Sequence, residues 1–153
     1  NAELGPLLNA ENPDLRPYAA RGGKLIIISG SADACVPYHA TLDYYERVAA
    51  CVGSLEKTQE LCRFYLIPGM SHGPGPGLHA LPGQLGMIVD WREKGIAPWK
   101  IPGARYENGQ KVLELPLFPY PEKTAFDPTS GFHPVSGPRG GVGRSKFGEL
   151  PPQ

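Results

Sequence analysis

A continuous apolar run, Leu25–Ile28, constrains the fold of this chain more than any other feature of its sequence. A half-exposed strand would alternate apolar and polar residues, whereas a continuous apolar run predicts a strand that is buried on both faces. Such strands lie in the middle of parallel sheets that helices cover. A helix predicted from about Tyr38 to Val52 follows, with its apolar residues on one face.

Helices and strands are predicted to alternate along the first hundred residues. A short helix is expected from Asn12, as N-cap, to Ala20, and a second strand over Phe64–Ile67. Another helix is predicted from about Gly83 to Lys94, with one face formed by Leu85, Ile88, Val89 and Arg92. The order helix, strand, helix, strand, helix predicts an α/β fold, in which helices flank a parallel sheet.

The sequence divides into three parts. Residues 1–103 are predicted to form the α/β unit. Residues 104–121 contain Asn108-Gly109, a strong hairpin-turn signal, and form a hairpin with a closing segment. Residues 122–153 are rich in Pro, Gly and Ser and show no period, so we expect an extended or partly disordered tail.

Composition excludes some classes of partner. The chain of 153 residues carries 15 basic and 15 acidic side chains, which argues against nucleic acid or an anionic membrane as the main partner. No apolar run approaches the roughly 20 residues of a membrane span. Asn1–Pro6 shows neither the basic nor the apolar region of a signal peptide, and the chain does not begin with Met. We therefore expect a fragment or a processed product of a longer protein.

Two interpretations of the cysteines stay open. Cys51 and Cys62 flank a polar insert, and they either form a disulfide in an oxidising compartment or remain free, buried thiols. Cys35 has no partner in either case.

Two polar residues are predicted to meet at one edge of the sheet. Asp33 follows the first strand and His72 follows the second. In open α/β sheets, functional groups collect on the loops that leave the carboxyl ends of the strands. A carboxylate bonded to one ring nitrogen would hold the imidazole in one tautomer, so that the other nitrogen can accept a proton. Asp33 and His72 are therefore the candidate catalytic acid and base.

Each residue also has a simpler explanation. Asp33 alone would more often cap a turn or a helix, and His72 alone would more often pack against its own loop. It is the pairing of the two loops that favours a catalytic role. The candidate nucleophile Ser71 lies in the G-x-S-x-G match Gly69–Gly73, but Pro and Gly follow at once where a nucleophile elbow requires a helix. The nucleophilic serine is therefore expected on polypeptide outside this sequence.

No resident metal or cofactor is predicted for this chain. The other histidines, His39, His79 and His133, have no carboxylate or cysteine at the spacing of metal ligands. The glycine run at Gly140–Gly143 is not a phosphate-binding loop, because no predicted strand precedes it and no helix follows.

Four segments, in this order, resemble the C-terminal part of the tannase/feruloyl esterase family, which also includes the hydrolase of mono-(2-hydroxyethyl) terephthalate. They are ARGGKLIIISGSADACVPYHATLDYYERV, FYLIPGMSHG, IVDWREKGIAP and LPLFPYP. The resemblance covers roughly Glu3–Pro121. It implies the C-terminal segment of a secreted or periplasmic α/β-hydrolase-fold serine esterase, with a lid domain inserted upstream that holds a structural calcium in many members.

The resemblance assigns the triad acid to Asp33 and the triad histidine to His72, and the family's serine has no counterpart here. Many members carry a cysteine directly after the histidine, bridged to one before the nucleophile. This chain has Gly73 there, so the resemblance implies that this disulfide is absent.

Three functional hypotheses follow. The first is a serine esterase that hydrolyses phenolic-acid esters such as gallates or ferulates, with this chain supplying Asp33 and His72 and the remaining part of the hydrolase supplying the serine. The second is another carboxylesterase or a peptidase of the same fold, because a fold does not choose its substrate. The third is a non-catalytic companion or binding domain.

Overall fold

The computed structural model describes residues 4–73 and 75–137. Its helices are α1 (Gly5–Leu8), α2 (Arg16–Ala20), α3 (Tyr38–Val52), α4 (Leu55–Gln59) and α5 (Gln84–Lys94). Its strands are β1 (Leu25–Gly30), β2 (Cys62–Ile67), β3 (Ile101–Glu107), β4 (Gln110–Leu117), β5 (Glu122–Asp127) and β6 (Gly131–Ser136). The alternation of helices and strands up to α5 confirms the α/β fold.

A parallel pair of strands forms the centre of the α/β unit. β1 and β2 run side by side in register, from Leu25 opposite Cys62 to Gly30 opposite Ile67. The predicted helix over 38–52 is confirmed as α3, which buries Leu42, Tyr45 and Val48. The Tyr45 hydroxyl donates to the Cys62 carbonyl over 3.0 Å, so one buried hydrogen bond ties α3 to β2.

Strand β1 is less buried than its sequence predicts. The apolar run Leu25–Ile28 is only half-buried, although the next residue, Ser29, is buried. Within the described residues, β2 is the only strand that pairs with β1. Both faces of β1 pack against apolar clusters, through Leu25 and Ile27 on one side and Ile26 and Ile28 on the other, so the expected burial on both faces is met only in part.

Two short helices differ from the sequence prediction. The helix expected from Asn12 begins at Arg16 instead, and the Asn12 side chain accepts a hydrogen bond from the Asp14 backbone N–H in a turn before it. The polar insert after α3 contains helix α4, whose N-cap Ser54 accepts from the Lys57 backbone N–H over 3.1 Å.

Helix α5 has nearly its predicted extent but buries a different face. Leu85 was predicted on the apolar face and is 77% exposed, whereas Trp91 is 2% exposed. Lys24 and Arg63 lie over the Trp91 ring, at 5.5 and 5.4 Å from its centre. The predicted face was wrong, because one large ring and its cationic neighbours determine how α5 packs.

Two antiparallel hairpins follow α5. The first, β3–β4, confirms the turn at Asn108-Gly109, where both residues have positive φ (49° and 78°), as a two-residue hairpin turn requires. The second, β5–β6, corrects the expectation of an extended or partly disordered tail as far as Ser136. Its strands are joined by a turn in which Asp127 accepts hydrogen bonds from the backbone N–H groups of Thr129 and Ser130. The remainder of the predicted tail, 138–153, lies outside the described residues.

None of the helices in the described part of the chain is both long enough and apolar enough to cross a membrane.

Candidate active site

The carboxyl ends of β1 and β2 lie together because the two strands are parallel neighbours. A close approach between their loops depends on Gly30, the last residue of β1. A Cβ atom at Gly30 would lie 2.2 Å from the Met70 carbonyl oxygen, so only glycine allows the second loop to approach this closely. The Ala32 backbone N–H donates to the same carbonyl over 3.0 Å.

This arrangement brings Asp33 and His72 into contact. The distance between His72 Nδ1 and Asp33 Oδ2 is 3.1 Å. The Asp33 side chain is 11% exposed and the His72 side chain is 61% exposed. The predicted meeting of the two side chains is confirmed, whereas their catalytic roles stay predictions.

The two carboxylate oxygens of Asp33 have separate partners. Oδ1 accepts from the backbone N–H groups of Cys35, over 2.9 Å, and Val36, over 2.8 Å, while Oδ2 faces the imidazole. The Val36 N–H is the main cause that lowers the pKa of Asp33, and the His72 and Cys35 hydrogen bonds lower it further. The turn-capping explanation and the pairing with His72 therefore both hold, each for one oxygen.

Gly69 and Gly77 lie in contact on either side of His72 and close the base of the loop that carries it. We call this glycine contact the neck of the loop. A Cβ atom at Gly77 would lie 2.0 Å from the Gly69 carbonyl oxygen, so the two backbones touch. The Gly69 N–H donates to Ser31 Oγ over 2.9 Å, which fastens this neck to the loop after β1. Within the described residues, no hydrogen-bond partner is found for His72 Nε2. The ring is thus held from the Nδ1 side, and its other nitrogen points away from Asp33.

Ser71 does not have the geometry of a nucleophile elbow. Its hydroxyl donates to the Gly73 carbonyl over 2.6 Å. In the described part of the chain, no helix begins after Ser71 until α5 at Gln84. Neither contact supports a nucleophilic role for Ser71, and the position of the nucleophile outside this chain stays a prediction.

The remaining histidines have other partners. His79 Nε2 accepts from the Tyr106 backbone N–H over 3.2 Å. His133 Nδ1 lies 3.0 Å from the Gly131 carbonyl oxygen of its own strand, and His39 stacks on Tyr38 with ring centres 3.9 Å apart. None of the three belongs to a cluster of potential metal ligands among the described residues.

One residue of this region was missed by sequence reasoning. The Cys35 thiol lies with the Asp33 carboxylate and the His72 ring, with one ligand atom from each residue within 4.8 Å of the others. The spacing Asp33-x-Cys35 was the available signal, because two residues on one tight loop can face the same side chain.

The described cysteines are free. Cys35 and Cys51 are exposed and Cys62 is buried, so no bond joins Cys51 to Cys62. Burial raises the pKa of the Cys62 thiol to about 12, which keeps it protonated and unreactive at neutral pH.

An apolar cleft of about 400 Å³ lies near the strand ends, with Ser31, Phe64, Leu66, Pro68 and Phe118 among its lining residues. Neither Asp33 nor His72 lines it. We therefore do not include the cleft in the candidate active site.

The fold and the site together define a segment of an α/β hydrolase. The loops after two parallel strands place the carboxylate of Asp33 in hydrogen-bond contact with the imidazole of His72. The family model for tannase and feruloyl esterase matches residues 1–137. The chain belongs to the tannase and feruloyl esterase family. This match extends past Pro121, where the resemblance seen in the sequence ended, and includes the β5–β6 hairpin.

Of three similar proteins, two are esterases by name and one is a hydrolase. An uncharacterized esterase of Xanthomonas campestris is 31% identical over 90% of this chain and 30% of its own length. The mono(2-hydroxyethyl) terephthalate hydrolase of Piscinibacter sakaiensis is 36% identical over 74% of this chain and 19% of its own length. The crystal structure of an esterase from Aspergillus oryzae superposes with a TM-score of 0.79 at 26% identity, over 88% of this chain and 32% of that one. The chain thus spans less than a third of each of these relatives.

Proposed function

We propose that this chain supplies the general base and its orienting acid to a serine esterase. The observation that carries the proposal is the 3.1 Å contact between His72 Nδ1 and Asp33 Oδ2 at the carboxyl ends of two parallel strands. Family membership supports the reaction class, since carboxylic ester hydrolysis is what the names of the family and its members describe. The serine is supplied by polypeptide outside this chain.

The reaction proceeds by acyl transfer. The serine hydroxyl attacks the ester carbonyl while His72 Nε2 accepts its proton, and the tetrahedral intermediate then expels the alcohol, which takes that proton. Water attacks the acyl-enzyme by the same route and regenerates the serine. Asp33 accepts the Nδ1–H throughout, keeps Nε2 free to act as the base, and stabilises the imidazolium that forms.

The proposed substrates are esters of phenolic acids such as gallate or ferulate. The family description, tannase and feruloyl esterase, supports this class. We propose a secreted or periplasmic location, as the resemblance implies. Comparison of methyl gallate with methyl ferulate hydrolysis by the full-length esterase that contains this chain tests the acyl preference. Cleavage of peptides in place of both esters would favour the peptidase alternative.

The test of the catalytic assignment is His72→Ala in the full-length esterase. We expect kcat to fall by about 10⁶-fold, since removal of the triad histidine leaves only binding and oxyanion stabilisation. His133→Ala is the matched control, because this histidine lies in the β5–β6 hairpin, with Nδ1 3.0 Å from the Gly131 carbonyl oxygen, and its loss should leave activity unchanged. Near wild-type turnover in a folded His72→Ala protein would overturn the proposal and leave the non-catalytic alternative.

A further inference from the structure

The thiol of Cys35 has no part in the reaction proposed above, yet it lies beside the two side chains that do. The Asp33 carboxylate, the Cys35 thiol and the His72 ring each place one potential ligand atom within 4.8 Å of the other two. Within the described residues, no other group of three such side chains comes together. These side chains offer oxygen, sulfur and nitrogen at one point, a donor set that suits zinc.

We propose that Asp33, Cys35 and His72 form a binding site for a thiophilic divalent cation, of which Zn²⁺ is the type, and that its occupation inhibits the esterase. The metal is an inhibitor from solution and takes no part in hydrolysis. The metal site rests on the geometry of the three residues alone, whereas the inhibition rests also on the proposed function.

The backbone arrangement leaves the required atoms available. The Cys35 and Val36 N–H groups both bond to Asp33 Oδ1, so Oδ2 keeps its lone pairs for the space it shares with His72. Cys35 is exposed and the His72 side chain is 61% exposed, so both can rotate toward a common centre. Ligand atoms around tetrahedral zinc lie about 3.5 Å apart, given bond lengths of roughly 2.0–2.3 Å. Atoms already within 4.8 Å reach that spacing by small side-chain rotations.

Zinc at this point would disable the base directly. Asp33 faces Nδ1 of His72, so Nδ1 is the nitrogen that binds the metal. The Cys35 thiol loses its proton to solvent and binds as thiolate. The imidazole releases its Nδ1 proton to solvent and takes one proton from solvent at Nε2, so the ring stays neutral and binds zinc through Nδ1. Nε2 then has no lone pair to accept the serine proton, whatever the ester.

The experiment uses the full-length esterase with Co²⁺ as the spectroscopic probe and Zn²⁺ as the competitor. A thiolate bonded to Co²⁺ gives a charge-transfer absorption in the near ultraviolet, and its loss on addition of Zn²⁺ reports zinc affinity independently of turnover. We expect one Co²⁺ per chain in the wild-type protein. Cys35→Ser should abolish the band and weaken zinc at least about 10-fold, since even loss of an outer-shell partner typically costs 10- to 100-fold.

Cys51→Ser is the matched control, because Cys51 is also an exposed, free thiol but lies outside the cluster. It should bind both metals as the wild type does. In ester hydrolysis, Zn²⁺ should inhibit the wild type and Cys51→Ser, and a chelator should restore the rate. Cys35→Ser should turn over normally and require at least about 10-fold more Zn²⁺ for the same inhibition.

Equal metal affinity in the Cys35→Ser and Cys51→Ser proteins would overturn the site, and tight binding without inhibition would overturn its proposed effect. If the esterase is inactive even without metal, the proposed function fails, and the Co²⁺ band still decides whether the site exists. A Cys35→Ala protein with an unchanged circular dichroism spectrum guards against misfolding as the cause of lost binding.

Discussion

At the scale of the residue, Asp33 and Asp127 accept the same pattern of backbone hydrogen bonds. Each accepts two backbone N–H groups, from the residues two and three positions later. In both cases these N–H groups lower the carboxyl pKa. Only Asp33 also meets a histidine, which comes from a loop 39 positions away. Local backbone hydrogen bonds thus form the turn at both sites, and the pairing of β1 with β2 determines which aspartate has a histidine partner.

This comparison gives a matched pair of variants. Asp33→Asn should lower kcat in the full-length esterase by about 10³- to 10⁴-fold, because an amide does not hold the His72 tautomer or stabilise the imidazolium. Asp127→Asn makes the same chemical change in an equivalent turn and should leave kcat unchanged. Measurement of kcat for both proteins tests whether Asp33 acts through His72. An equal loss of kcat in the two variants would show that Asp33 only stabilises its own turn.

The depressed pKa of Asp33 also predicts the sign of a pH effect. A carboxyl whose pKa is lower in the folded state stabilises the fold above its unfolded pKa, near 3.8, and loses that contribution as pH falls through the folded value. The stability gap between the wild type and Asp33→Asn should therefore be constant near neutrality and close in acid. Urea unfolding of both proteins at neutral and at acidic pH measures it, and a gap that widens in acid would contradict the assignment.

At the scale of the element, sequence patterns predicted the parts whose structure has local causes. β1, α3, β2 and the Asn108-Gly109 hairpin follow from apolar runs, helical spacing and turn chemistry. The face of α5 was not predictable in this way, because the cations that cover Trp91 come from distant positions. The β5–β6 hairpin was missed because its Pro and Gly content outweighed its paired aromatic residues, Phe126 and Phe132, whose rings lie 5.0 Å apart.

The loop that holds His72 depends on its glycine neck. Gly77→Ala would force a Cβ atom to within 2.0 Å of the Gly69 carbonyl oxygen, so the backbone must move and the loop must open. We expect a loss of about 1–3 kcal/mol in stability, as for other overpacked sites. We also expect kcat to fall by up to about 10²-fold, because small displacements of a catalytic group are costly.

Gly86→Ala is the control for this substitution. Gly86 lies in α5, and apart from the neighbouring helix backbone no atom of the described residues lies within 4 Å of a Cβ atom placed there. Alanine should therefore stabilise the helix by about 0.5–1 kcal/mol and leave kcat unchanged. Thermal unfolding and kcat measured on both variants test the pair. Wild-type stability and turnover in Gly77→Ala would show that the neck does not position His72.

At the scale of the whole molecule, one edge of the parallel pair has no neighbouring strand among residues 4–73 and 75–137. The outer side of β2 is partly covered, since the Tyr120 N–H donates to the Phe64 carbonyl over 2.8 Å. The Leu25 and Ser31 N–H groups donate toward β2, over 2.8 and 3.0 Å. Because strand amides alternate in direction, Ile27 also faces β2, whereas Ile26 and Ile28 face away. The apolar side chains of the same strand, Leu25–Ile28, are only half-buried.

These positions predict where the rest of the esterase attaches. If the polypeptide that carries the serine adds a strand beside β1, the Ile26 and Ile28 amides should exchange slowly in the full-length protein and quickly in this chain alone. Ile27 is the internal control, because the same residue type on the same strand is paired with β2 in both cases. Amide hydrogen exchange followed by NMR measures all three. Fast exchange of Ile26 and Ile28 in the full-length esterase, with Ile27 protected, would show that the catalytic partner joins this chain elsewhere, since β1 is then a permanent edge.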